Sequence, residues 1–209
     1  MIGAVLGTGL LWSVVACSGG GAKGEKDPVA AASAAVQKLM VCRLADFRPL
    51  LKLYNGSYVR PPLDVLGEPP GRYCRAYFAL SEPEQGSHDF PDATDADARV
   101  AVVPFKSAQA ATTASDQAMA TAARGTEDDR AFQTLSGPWS HGRLFTGSTG
   151  RTDVVVGLIR RDALLVEISL TSPAGGRRGA FTYSRAELAA TVQQVLTSLY
   201  TAVTTEIET

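Results

Sequence analysis

The chain has 209 residues, 45% hydrophobic and 20% charged, with 20 Lys and Arg against 21 Asp and Glu and a formal net charge of −1. That length supports one domain with a sizeable core. The near-neutral balance gives no electrostatic reason to expect a nucleic-acid partner.

Ile2 to Val15 is an uncharged apolar run. A helix of about 14 residues would span roughly 21 Å, against about 30 Å for a hydrocarbon core. A cleaved secretory leader is therefore expected, not a spanning helix. The run ends in Val14-Val15-Ala16-Cys17, which resembles a bacterial lipobox. That resemblance implies a signal peptide over 1–16, lipidation of Cys17 by fatty acyl chains such as palmitate, and a mature chain that begins there. The leader departs from the usual signal in lacking Lys or Arg, since the first charged side chain is Lys23. The competing reading is a buried apolar helix with Cys17 as a small hydrophobe. Residues 17–26 then read as the lipidated cysteine and a Gly/Ser-rich tether, and 27–209 as the domain.

Asp27-Pro28 suits a helix start, and Val29, Ala32, Val36, Leu39 and Met40 recur at helical spacing up to Cys42. A short helical turn is expected over Asp46–Tyr54. Asn55-Gly56 stops it, and Pro61-Pro62 and Pro69-Pro70-Gly71 frame an irregular segment. Arg72–Leu80 reads as a strand with Cys74, Ala76, Phe78 and Leu80 on one face. Ser81–Ala98 is an acidic loop, and Arg99–Phe105 a second strand ending near Pro104.

Ser107 is an N-cap for a helix to Arg124, closed by Gly125 and poor in large apolar residues. Phe132–Leu135 and Trp139–Thr146 read as strands around Gly137-Pro138. Thr152–Ile159 and Ala163–Thr171 form a hairpin with Arg160-Arg161-Asp162 at its tip. Leu164, Val166, Ile168 and Leu170 face one way, Glu167 and Ser169 the other, so one sheet face is buried and the opposite face partly wet. Ser184-Arg185-Ala186-Glu187 is a capping box. It opens a helix whose stripe of Leu188, Val192, Leu196, Leu199 and Val203 should cover the apolar sheet face. The expected fold class is α+β, an antiparallel sheet of about five strands with N-terminal and C-terminal helices packed on it.

Setting Cys17 aside for lipid leaves Cys42 and Cys74. Two cysteines allow one disulfide, which an exported compartment permits; two buried thiols are the alternative. The search for catalytic groups is thin. His88 and His141 are the two histidines, and no Gly-x-Ser-x-Gly elbow accompanies them. Asp89, Asp92, Asp95 and Asp97 form a carboxylate cluster without the spacing of a calcium loop, and read as a solvated loop. Arg177-Arg178 beside Gly175-Gly176, and Arg160-Arg161, are small basic pairs that offer weak anion sites. Trp139 and Tyr183 read as core or rim aromatics. No metal or cofactor set is expected.

With these elements in place, the chain resembles the small secreted lipoproteins of actinobacteria, most of them of unknown function. The likeness rests on Val14-Val15-Ala16-Cys17, the two later cysteines, the Arg72–Leu80 strand, and the hairpin followed by a C-terminal helix. A similar plan recurs in extracellular sensor domains of some actinobacterial serine/threonine kinases. The resemblance implies a lipid-anchored protein on the extracytoplasmic face of the cell membrane and supplies no catalytic residues. The expected function is a non-enzymatic binding or sensory module of the cell envelope, partnered by an envelope protein or a small apolar ligand. The alternatives are a carrier that holds an apolar molecule beside the small-residue helix Ala108–Ala123 and, more remotely, a hydrolase using His88 or His141.

Overall fold

The apolar run after Pro28 folds as two helices, not one. The computed structural model describes residues 28–54, 58–67, 71–78, 96–126, 128–150, 152–173 and 183–208. Helix α1 (Pro28–Val36) stops at Val36, and α2 (Val41–Leu44) and α3 (Arg48–Leu53) follow. The Lys38 and Leu39 amides donate to the carbonyls of Ala35 and Val36. These i→i+3 bonds tighten the last turn and end the helix. The chain then turns Leu39 inward, leaves Met40 exposed, and delivers Cys42 to the sheet.

Among the described residues seven antiparallel strands make one sheet, in the order β1-β2-β3-β7-β6-β5-β4. They are β1 (Tyr58–Gly67), β2 (Gly71–Phe78), β3 (Ala96–Pro104), β4 (Asp128–Thr134), β5 (His141–Thr149), β6 (Thr152–Arg161) and β7 (Leu164–Pro173). The fold class is α+β as expected, but five strands was too few. The segment around Pro61-Pro62, expected to be irregular, is strand β1. It lies at the sheet edge and its register slips between Tyr58 and Leu63. An edge tolerates residues without an N–H, which a central strand does not. β3 begins at Ala96, so Asp97 belongs to a strand and not to the acidic loop. Trp139 precedes β5; its Nε1 donates to Leu135 O at 3.0 Å and its ring stands edge-on to Tyr200.

The topology explains the layers. β1, β2 and β3 form a meander, and helix α4 (Ala108–Arg124) then carries the chain across one face to the far edge. Strands β4 to β7 meander back until β7 pairs with β3. Ser107 Oγ accepts the Ala110 amide at 3.1 Å, the expected N-cap. Gly125 closes the helix with its N–H on Thr121 O.

The capping box at Ser184 forms both reciprocal bonds and opens α5 (Arg185–Glu208). Its stripe of Leu188, Val192, Leu196, Leu199 and Val203 is fully buried, in one core with Val155, Val166, Ile168 and Leu170. At Gly157 an added Cβ would sit 2.8 Å from Leu196 Cδ2, so this glycine lets α5 approach β6. The opposite face is not simply wet. Over β5, β6 and β7 it is packed by α4, with Met119 against Phe145, Val156, Leu158 and Leu165.

Cys42 and Cys74 are disulfide-bonded, with Cα atoms 5.0 Å apart. The bridge joins α2 to β2, and the Cys42 amide also donates to Asp64 Oδ1 of β1 at 3.0 Å. Among the described residues no helix is long and apolar enough to cross a membrane.

Candidate functional site: an open half of the sheet

Helix α4 packs on β5–β7; on the β1–β3 part of the same face Tyr73, Ala101 and Val103 are buried with Phe105 against them, while Leu63, Val65, Arg75 and Arg99 are exposed. Period-two alternation puts Tyr73, Arg75 and Tyr77 of β2 on that face. The β2–β3 register sets Tyr73 beside Ala101, Arg75 beside Arg99, and Tyr77 beside Asp97. From β1, Leu63 lies beside Arg75 and Val65 beside Tyr73. Leu63 is 63% exposed and Val65 41%. Large apolar side chains in that state, next to arginines, distinguish this patch from an ordinary solvated sheet face.

Arg75 and Arg99 face each other across the ladder, where like charges repel. Their guanidinium groups splay toward opposite ends. Arg75 runs diagonally to Asp97, with Nε 2.9 Å from Oδ1, and also lies 4.8 Å over the Tyr77 ring. The Asp97 carboxylate raises the Arg75 pKa above its ordinary value. Arg99 runs the other way and lies 4.5 Å over the ring of Tyr73. Arg75 spends Nε and Nη2 on Asp97, and stacking on the tyrosine rings holds both guanidinium planes in place. Behind them, on β7, Glu167 pairs with Ala101. Burial pushes the Glu167 carboxyl up, and the charge of Arg99 pulls it back down.

A second polar group is enclosed, and its role is structural. Ser172, Tyr183, Tyr54, Asp153 and Arg185 meet where α5 starts on the sheet. Tyr183 donates to Pro173 O at 2.9 Å and hydrogen-bonds Ser172 Oγ. The Tyr54 ring packs on Phe78 and edge-on against Tyr183. Desolvation raises the phenol pKa of both tyrosines, with Ser172 opposing it. Ser172 is completely buried, so its hydroxyl does not meet a substrate from solvent.

The sequence-derived candidates fare unevenly. Cys17, His88, Asp89, Asp92, Asp95, Arg177 and Arg178 lie outside the described residues. Asp97 is committed to Arg75. His141 sits half-buried at the start of β5, opposite Arg160. The hairpin tip is Asp162-Ala163, not Arg160-Arg161-Asp162, because Arg160 and Arg161 pair with Leu165 and Leu164 inside the ladder. Neighbours in a strand point to opposite faces, which splits this proposed anion pair. Arg161 reaches Glu208 of α5 at 2.8 Å, while Arg160 lies on the α4 side. On the sheet side of helix α4, Met119 packs with Phe145 and Leu158. The alternation of β2 already sets Tyr73, Arg75 and Tyr77 on the face opposite Cys74, a signal the sequence carried, whereas Arg99 joins them only through the β2–β3 register.

No protein-family model matches the chain, and no curated protein matches it.

Proposed function

We propose that this chain is a lipid-anchored, extracytoplasmic binding or sensory module of a bacterial cell envelope, comparable to the small secreted lipoproteins of actinobacteria. The anchor is Cys17, and residues 18–26 are the tether. The observation that carries the binding reading is the open half-face, where Leu63 and Val65 stand exposed beside two arginines stacked on tyrosines. Such a surface suits an envelope protein that presents carboxylates next to apolar side chains. The Cys42–Cys74 bridge agrees with an oxidising compartment.

The test places a photocrosslinking amino acid at Leu63 in the full chain, expressed in an actinobacterium. A discrete protein adduct in wild type that is lost in R75A/R99A supports the reading. No adduct, or an adduct indifferent to both arginines, overturns the binding surface. Mass spectrometry of the membrane fraction addresses the anchor separately: acylated Cys17 is expected, and a chain that keeps Met1 and bears no lipid refutes it.

A further inference from the structure

The two edges of the sheet differ in their ability to accept another strand. An uncovered edge presents unpaired amides and carbonyls and templates pairing unless something blunts it. Strand β1 is blunted by Pro61 and Pro62, which lack an N–H, and by its slipping register. Strand β4 carries no such device beyond its bulge. After the irregularity between Asp128 and Ala131, residues 131–134 (Ala-Phe-Gln-Thr) pair regularly with β5.

The outward groups follow from one bond. The Leu135 amide donates to Gly142 O at 2.9 Å. In an antiparallel ladder this parity alternates, so Ala131 and Gln133 turn their amides and carbonyls to β5 while Phe132 and Thr134 turn theirs outward. All four side chains are exposed, and Phe132 is 60% exposed with its ring 5.0 Å from Phe145. The charges that would guard such an edge are occupied elsewhere. Asp129 pairs with Arg185, and Arg130 donates to Thr126 O.

The geometry points to β4 as a self-association edge whose occupant is β4 of a second copy, antiparallel about a two-fold axis at Gln133. In that register Phe132 of each copy faces Thr134 of the other, and the four outward groups of each strand form backbone hydrogen bonds. The two Phe132 rings lie on the same face at diagonal positions, within reach of each other. Residues 131–135, which this register sets against their own copies, carry no charge, so facing residues meet without like-charge repulsion. A two-fold contact is closed, and with the β1 edge blunted the assembly stops at a dimer instead of growing into a fibre. This inference does not depend on the lipid anchor or on the open half-face.

Disulfide trapping of the full chain tests it. Gln133 would face its own copy at a non-hydrogen-bonded position, with Cα atoms about 4.5 Å apart, inside the range a disulfide spans. Under copper-phenanthroline oxidation, Q133C should run mostly as a band of twice the chain mass. Q109C, on the exposed first turn of α4, should remain mostly monomeric. Adding T134P, which removes only an outward amide, should cut the dimer band at least fivefold. F132K should do the same without altering the backbone, which covers the case in which T134P misfolds. Trapping of Q133C no better than Q109C, dimer bands unaffected by F132K, or a Q133C adduct of another mass each overturns the two-fold dimer.

Discussion

Arg185 and Asp153 form the buried joint between α5 and the sheet. Nε and Nη2 of Arg185 both lie 3.0 Å from Asp153 Oδ1, and the aspartate side chain is only 5% exposed. Removing the arginine leaves a carboxylate without its counter-charge, where water reaches it poorly. R185A is expected to cost about 2–3 kcal/mol and to lower Tm by roughly 4–12 °C. R185K keeps the charge but loses the two-pronged contact and should fall between. R185A/D153N should recover part of the loss, because the amide needs no counter-charge. Thermal melts of these proteins and of D153N alone check this, and additive losses in R185A, D153N and the double variant would show that the two residues are not coupled. Asp129, the other partner of Arg185, has a 72% exposed side chain. D129A should therefore change Tm little.

The same joint shows how far the sequence could be read. The capping box, the α5 stripe and the alternation of β7 are local patterns, each set by neighbours within one or two turns, and they were legible. Ser107 and Gly125 likewise marked α4. Strand β1 was hidden because its prolines oppose strand structure in isolation, and only an edge position makes them tolerable. The break after Val36 was hidden because Leu39 and Met40 continue the apolar spacing, although only Leu39 enters the core. The open half-face was beyond sequence reading for a different reason. Arg75 and Arg99 lie on separate strands, and their meeting depends on a cross-strand register that neither strand encodes alone. The leap of α4 to the far edge decides which half of the sheet it covers, and that too is a property of the whole topology.

The Cys42–Cys74 bridge ties α2 to β2 and should stabilise the fold chiefly by restricting the unfolded chain. Cys74 is completely buried, and the residues are 32 apart in sequence. Closing a loop of that length restricts the unfolded chain by roughly 3–4 kcal/mol in the chain-entropy treatment. C42S/C74S should lose most of that, seen as a lower urea midpoint with a steeper slope, because the unfolded chain without the cross-link exposes more surface. Wild type under reductant should converge on the variant once the bond is broken. A midpoint that is the same for wild type, with or without reductant, and for the variant would mean that the bridge contributes nothing to stability.

Glu167 gives the fold a pH dependence of defined sign. Burial makes its carboxyl hold a proton to higher pH in the folded protein than in the unfolded chain, against the pull of Arg99. Above the ordinary glutamate value of about 4.3, the unfolded state therefore releases this proton first. With fewer protons bound unfolded than folded, stability falls as pH rises through the window between the two pKa values. The loss is complete above the raised folded value and absent below the unfolded one. E167Q removes this dependence. Relative to wild type, it should gain stability progressively from about pH 4 towards neutrality, and the pH-dependent part of the difference should vanish in acid. R99A acts in the opposite sense: without the guanidinium the folded carboxyl rises further, and the loss extends to higher pH. Urea titrations of the three proteins from acid to neutral pH measure the slopes directly. An E167Q advantage that grows on acidification instead would show that the carboxyl is stabilised in its charged form by Arg99 and not strained by burial.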